Sequence, residues 1–213
     1  MPSVRRRPPA IRLPAPRLGR GRSLAESLRR RRTTREIGDR KLSPQQLSNV
    51  LWAACGVNRR GGPFGYAGIT AASASNSQEI NVYVALAEGT YRFDAQRHRL
   101  VPAAAGDLRE LAIGRGQRSA VEMKAPVQLI YVADIRRLTH TRGFQEPGLH
   151  DAEVQKAYYY VDTGLIAANV YLYAASQGLA CWFHNCDKPA LTQQLKLRAG
   201  QRVLFAQSVG YPG

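Results

Sequence analysis

Acidic side chains are scarce in this 213-residue chain: 15 Asp and Glu stand against 31 Lys and Arg, and the formal net charge is +16. Such a balance points first to a polyanionic partner. Its distribution argues otherwise, because residues 1–40 hold 13 arginines, no lysine and three acids (Glu26, Glu36 and Asp39), a net +10 that leaves only +6 for the other 173 residues. No nucleic-acid module and no basic strand interleaved with aromatics accompanies that charge, so nucleic acid is not the expected partner. Binding of nucleic acid through the basic end stays as the alternative from a different functional class. Cysteine is sparse as well: Cys55, Cys181 and Cys186 cannot all pair within one chain, which excludes a disulfide framework and predicts reduced thiols. No run approaches the roughly 18 apolar residues of a membrane span, and the N-terminal stretch lacks the apolar segment of a secretory signal. No membrane association and a cytoplasmic location are therefore expected.

What is present is an ordinary globular composition, 44% hydrophobic and 22% charged, in a chain long enough to bury a core without staples. Residues 1–22, rich in Arg, Pro and Gly and without apolar period, read as an arm that lies on the fold or free in solvent. Residues 23–213 read as one domain. Ser23 with Glu26 forms a capping signal, so a helix is expected from about 24 to the arginine cluster. Ser43, Pro44 and Gln46 start a second helix that presents Leu47, Val50, Leu51 and Ala54 on one face and stops at Gly56. Residues 58–77 are small and aperiodic, a long loop of the functional kind. Strands are expected at 80–86, in a hairpin over 90–103, and at 127–134, with a helix over 106–124 and a loop over 135–150. The longest helix runs from about Asp151 to Gln177 and is apolar nearly all round, so it is buried on several sides, in a core or in a subunit interface. A strand LACWFH, a short helix capped by Asp187, and a last strand RVLFAQSVG complete an α+β sandwich with a mixed central sheet.

CWFHNC offers Cys181, His184 and Cys186 as metal ligands. As a strand it places 184 and 186 on one face and Cys181 on the other, so no metal is expected. The stronger constellation is distributed. RRTTR (31–35) resembles the phosphate-binding pattern R-[RH]-[ST]-x-[RK] of the nitroreductase-like flavin oxidoreductases, and SASNSQ (73–78) resembles that family's P-S-x-x-N-x-Q loop. GLACWFHNCD (178–187) and VGYP (209–212) match its flavin-face segment and terminal strand. LSPQQLSNVLWAACGVNR, QEINVYVALAEGTYRFD and APVQLIYVAD are most similar to the azoline-dehydrogenase-like branch, which forms thiazoles and oxazoles in modified peptides.

The resemblance implies a three-layer sandwich with a mixed, mostly antiparallel sheet and a long central interface helix. It implies a homodimer with FMN at the interface, NAD(P)H as reductant, and hydride transfer through the flavin to a small electrophilic or nitro substrate. Azoline dehydrogenation, or a flavin-consuming or dehalogenating activity, is the alternative on the same fold. By the same likeness Arg31, Arg32, Thr33 and Arg35 hold the phosphate; Ser73, Asn76 and Gln78 meet the flavin ring; backbone N–H groups around His184 and Asn185 face N5 and O4; and Gln117 touches the ring or ribityl chain. Two departures are Ala72 where the family has proline, and the ending Tyr211-Pro212-Gly213 without the basic residues that often follow.

Elementary chemistry agrees with that assignment. A phosphate monoester is close to a dianion, which guanidinium forks and a hydroxyl suit. At about 4 Å and an effective dielectric of about 20, each cation contributes roughly 4 kcal/mol before desolvation. Arg29 and Arg30 are then surplus, a solvated face. Amides both donate and accept, as the edge of an isoalloxazine requires. No side chain need act as acid or base, because the flavin carries the chemistry. Phe64, Tyr66 and Phe144 are the loop aromatics expected to line a substrate pocket.

Overall fold

The computed structural model describes residues 8–19, 21–117, 125–142 and 147–213. After a first strand, β1 (Ile11–Arg12), two helices begin where capping chemistry places them. The Ser23 hydroxyl accepts from the Glu26 N–H at 3.2 Å and starts α1 (Leu24–Arg30). Ser43 and Gln46 satisfy each other's backbone donors at the start of α2 (Pro44–Cys55), and Pro44 sits where no N–H is needed. Removing the Ser43 cap would cost about 1 kcal/mol.

The segment expected to be one loop contains a small antiparallel ribbon, β2 (Val57–Arg59) with β3 (Gly68–Ile69), and two 3-10 turns at Pro63–Gly65 and Ala74–Asn76. An antiparallel meander follows: β4 (Ile80–Leu86), β5 (Gly89–Asp94) and β6 (Arg99–Ala105). Of residues 106–124, expected to be helical, 106–117 instead pass through turns to a short 3-10 helix at Arg115–Gln117, and 118–124 lie outside the described residues. Gly106, Gly114 and Gly116 interrupt that stretch, and Leu108, Ala112 and Ile113 are buried by successive turns rather than by one helical face. Beyond β7 (Val127–Asp134), the expected loop holds α3 (Ile135–His140) and a 3-10 turn at Pro147–His150. Only Leu138 of α3 is buried, too little to leave a period in the sequence.

Helix α4 (Ala152–Gln177) opens on Asp151, whose carboxylate accepts from the N–H groups of Glu153 and Val154, and closes on Gly178 at φ 70°, the left-handed conformation that glycine adopts at least cost. Then come β8 (Ala180–His184), α5 (Lys188–Gln194) and β9 (Gln201–Gly210).

Seven strands form one sheet in the order β1-β6-β5-β4-β7-β9-β8, and every pairing among them is antiparallel. Alternating side chains build a core on each face. Val84, Leu129 and Tyr131 pack with Leu51 of α2 and Val170 of α4, whereas Ile130, Val132 and Ala206 pack with Leu108, Ala112 and the α5 residue Leu191. This gives three layers. A bulge in β9 opposite Tyr131 and Val132 breaks the alternation, so Leu204 and Phe205 both turn toward the α2/α4 layer.

Both sheet edges concern the segments rich in arginine. At one edge β1 pairs with β6, Leu13 is buried, and residues 14–17 are tied to α2: Ser48 donates to the Pro14 carbonyl at 2.6 Å and the Arg17 N–H donates to Asn49 at 2.8 Å. Residues 8–19 therefore lie on the body of the fold. At the other edge, β8 receives a single backbone bond from the arginine segment, Thr34 N–H to the Cys181 carbonyl at 2.9 Å.

Helix α4 is not covered all round. Val154, Tyr158, Val161 and Leu165 are exposed at spacings of four, three and four residues, with Val161 60% accessible, so they form one apolar stripe. Leu24 and Leu28 of the adjoining α1 are exposed too.

Candidate functional site

Arg31 ends α1 in a non-helical conformation while its N–H still donates to Ser27 at 2.8 Å. The chain then runs along β8 and opens a cavity of about 440 Å3 lined by Arg22, Arg29, Arg30, Arg31, Arg32 and Thr34 on one side and by Tyr171, Ala174 and Ala175 of α4 on the other. Glu26 pairs with Arg30 and lies 3.6 Å from Arg29. Among the described residues Arg31, Arg32 and Arg35 have no carboxylate partner. Arg31 lies over the Tyr171 ring at 5.5 Å and Arg35 over the Trp182 ring at 5.6 Å. The structure thus brings Arg31 and Arg32 to the cavity, together with Arg29 and Arg30, which the sequence reading had set aside as a solvated face. Thr33 and Arg35 are not among its lining residues: the Thr33 hydroxyl lies 3.0 Å from the Tyr171 hydroxyl, which also accepts the Phe183 N–H at 2.8 Å. The threonine among the lining residues is Thr34.

His184 and Asn185 lie at the far end of β8. The His184 Nδ1 is 3.0 Å from the Asn185 carbonyl and Nε2 is 2.8 Å from the Ser208 hydroxyl. A carbonyl only accepts, so Nδ1 carries the proton and Ser208 donates to Nε2. Ser208 Oγ lies 2.8 Å from the Gln128 amide, and turning the nitrogen of that amide toward it gives the nitrogen the partner it otherwise lacks. Burial lowers the His184 pKa to about 4, against a backbone hydrogen bond that raises it, so the ring is neutral. The Asn185 carbonyl also accepts from Gly114 N–H at 3.0 Å, which fixes the turn after β8. Trp182 stacks on His184 at 4.2 Å and so links Arg35 to this end. Gln117 closes the nearby 3-10 helix, and its side chain lies outside the described set. Cys181 and Cys186 are buried thiols, as is Cys55, and burial pushes Cys55 and Cys186 up to about 12.

The third group is the 73–78 loop. Ser75, Asn76 and Gln78 all have positive φ (47°, 55° and 49°), a costly backbone for residues other than glycine. Side chains hold it. Ser73 Oγ accepts the Gln78 N–H at 3.0 Å, and the Gln78 amide nitrogen donates to the Ala67 carbonyl at 2.7 Å and to Asn76 at 2.9 Å. Asp162 of α4 accepts the Ala74 N–H at 3.0 Å. Beneath the loop Glu79 is fully buried beside Asp162 and accepts from the Ser77 hydroxyl at 2.6 Å. Burial first, then the Asp162 charge, raises Glu79 to about 7, and burial raises Asp162 as well. Such a pair holds one proton between two carboxyls.

Within one chain these groups stand apart. The arginine cavity adjoins Tyr171 and the loop adjoins Asp162, nine residues or about 13 Å apart along α4. Phe64 and Tyr66 are exposed, and Tyr66 lines a second cavity with Asn76 and Gln78; Phe144 lies outside the described residues. Sequence reasoning missed Tyr171, Asp162 and Glu79, which sit at ordinary core spacings and carry no local signal. Arg22 donates to the Ala175 and Ser176 carbonyls and was read only as part of the arm.

Comparison with known proteins identifies the family to which this three-layer fold belongs, with its arginine cavity beside an edge strand and its partly exposed long helix. The nitroreductase family model matches residues 28–211, and the chain belongs to that family. It is 31% identical over 164 residues to a protein of Methanocaldococcus jannaschii that carries the name nitroreductase, over 73% of this chain and 75% of that one. A crystal structure from Ralstonia eutropha JMP134, also under the name nitroreductase, superimposes with a TM-score of 0.82 at 33% identity, covering 96% of this chain and 90% of the other. The fold alone is shared with a chain of the Escherichia coli microcin synthetase McbBCD complex (TM-score 0.68, 16% identity, 85% and 68% covered). It is likewise shared with the NADPH:FMN oxidoreductase of Vibrio harveyi (TM-score 0.61, 19% identity, 89% and 68% covered). No helix among the described residues is long and apolar enough to cross a membrane.

Proposed function

We propose that the protein is an FMN-dependent oxidoreductase that works as a homodimer, accepting hydride from NAD(P)H and passing it to a small electrophilic or nitro substrate. The observation that carries this reading is the cavity in which Arg31 and Arg32, without acid partners among the described residues, converge with Thr34 on an edge strand. That donor set fits a phosphate monoester: several arginines and a threonine, with Glu26 the one acid paired to the cluster among the described residues. Arg31 and Arg32 would hold the phosphate. Arg35 and Thr33 act one step back, through Trp182 and Tyr171. The 73–78 loop, with Ser73, Asn76 and Gln78, would shape the wall for the ring, and the backbone at His184 and Asn185 would face the atoms where negative charge develops, with Gln117 beside them.

When bound, FMN supplies hydride chemistry in two half-reactions. The protein's own residues bind, orient and exclude water. His184 cannot supply a proton at neutral pH, because it is neutral and both ring nitrogens are engaged; it positions the turn at Asn185. The separation of the arginine cavity from the loop along α4, together with the bare apolar stripe, supports a site assembled by two copies. The fold shared with a microcin synthetase chain keeps a peptide azoline as the second substrate reading. The deciding experiment is the visible absorption spectrum of the purified protein with added FMN, followed by reduction with NADPH and NADH. A yellow protein bleached by a nicotinamide is expected; a protein that takes up no FMN overturns the reading. Reoxidation by a nitroarene or by an azoline peptide then separates the two substrates.

A further inference from the structure

A second basic cavity, of about 520 Å3, lies on the outer side of the 73–78 loop, where β7 runs into α3. Its walls carry Arg136, Arg137 and His140 from α3, Arg198 from the turn before β9, Asp134 from the end of β7, and Gln78. Two of its three arginines have no acid partner among the described residues. Arg137 donates to the Gln78 carbonyl at 2.6 Å, and Arg136 makes no ion pair among the described residues. Arg198 is the exception, held 3.0 Å from Asp134 Oδ2. Counting Asp134 against three guanidiniums leaves the cavity at +2, the charge that a phosphate ester dianion balances.

Asp134 fixes the position of Arg198. It occupies the N-cap position of α3, where a carboxylate normally accepts a backbone N–H, yet it makes no such bond. Its Oδ2 turns to Arg198, with Gln201 at 3.4 Å, and its Oδ1 is buried with no hydrogen-bond partner. Asp134 is only 7% exposed, so Oδ1 is out of reach of a molecule in the cavity and the carboxylate serves to hold Arg198 in the wall.

We infer that this cavity binds a phosphate monoester, with Arg136 and Arg137 on the phosphate and Arg198, held by Asp134, beside them. Two sources have this chemistry: the 2′-phosphoribose of NADPH, and a phosphorylated electron acceptor. Either would end beside Gln78, so the site would select the partner that exchanges electrons at the flavin. That link to the reaction rests on the proposed function; the binding does not.

Isothermal titration tests it with 2′-AMP, ribose 5-phosphate and adenosine against the full chain, and against Arg136→Ala and Arg137→Ala. At least one phosphate ester is expected to bind tenfold or more tightly than adenosine, and each substitution is expected to remove most of that preference. A stronger response to 2′-AMP assigns the site to the nicotinamide nucleotide, and a stronger one to ribose 5-phosphate assigns it to a phosphorylated acceptor. Equal binding of adenosine and both esters overturns the site. So does a preference that survives both substitutions, since it would place the phosphate elsewhere, at Arg31 and Arg32 for example. Because the titration reads no flavin, a colourless protein that still discriminates would sink the flavin reading alone, and a yellow protein that does not discriminate would sink this one alone.

Discussion

The arginine segment at the β8 edge and the 73–78 loop are built on opposite principles. Among the described residues Arg31, Arg32 and Arg35 are left without acid partners in a chain that has few acids to give, and one backbone bond from Thr34 ties the segment to the sheet. The loop is over-determined: three non-glycine residues at positive φ are held by Ser73, Gln78, Asp162 and the buried Glu79. The first region is preorganised by unsatisfied charge and the second by satisfied strain. A site that needs both must combine a surface waiting for an anion with a wall that does not move.

If the two regions meet only across a dimer, the largest effect comes from the surface between copies. Val161→Glu with Leu165→Glu places two charges on the bare stripe of α4. Light scattering is expected to show a monomer, and FMN affinity to fall by more than about 100-fold, because each copy then offers half a site; losing one charged phosphate contact alone costs roughly 1.5–3 kcal/mol. A monomeric variant that keeps its flavin would break the comparison outright. Next comes Arg31→Ala, expected to weaken FMN by about 10- to 100-fold on the same scale. Arg30→Ala should matter less, because that guanidinium is already paired with Glu26. Fluorescence titration of FMN reads both, and equal losses would show that position within the cavity is irrelevant.

The first region was largely legible in the sequence, because RRTTR after a capped helix is a local pattern and the chain realises it locally. Even there the partition was inexact: Arg29 and Arg30 reach the cavity, and Thr34 rather than Thr33 is among its lining residues. The loop was legible only as composition. What holds it, Asp162 and Glu79, lies 84 residues and one residue beyond Gln78, and each reads as an unremarked polar residue at the border of an apolar run. Strands β4 and β7 were plain because they are buried at every position, which continuous apolar runs announce. The stretch from 106 to 117 was misread because buried residues spaced by turns imitate helical period. The length of α4 was clear from its apolar run and its caps, but an interface face and a core face look alike in a sequence that is apolar nearly all round.

Asp162→Ala acts on the wall alone. It leaves the Ala74 N–H without its acceptor and Glu79 without its partner, so a destabilisation of about 1–3 kcal/mol is expected. FMN affinity should fall only a few-fold, about 5-fold for each 1 kcal/mol of loop preorganisation that is lost. Urea denaturation and flavin titration on the same sample separate the two numbers. A variant as stable as the parent would mean that the loop holds its strained backbone without α4.

The smallest expected effect on the flavin, and the most specific to the loop, is in pH. Glu79 has a folded pKa raised from 4.5 to about 7 by burial and by Asp162. The folded state therefore holds a proton that the unfolded chain has released, so the contribution to stability is complete below about pH 4.5 and is lost as pH rises through about 7. His184 runs the other way: its folded pKa is lowered from 6.5 to about 4, so its contribution is present above 6.5 and is lost as pH falls toward 4. Glu79→Gln keeps an acceptor for Ser77 and offers an amide donor to Asp162 in place of the shared proton. Between pH 5 and 8 the thermal midpoint of the parent should drop relative to that of Glu79→Gln, by an amount on the order of 1–3 kcal/mol of stability, while FMN affinity at pH 7 changes by less than about 3-fold. The acid limb below pH 6 should be common to both, since it belongs to His184. Parallel midpoint curves for the two proteins across pH 5–8 would show that Glu79 is ionised throughout, and that the loop is held by geometry without a shared proton.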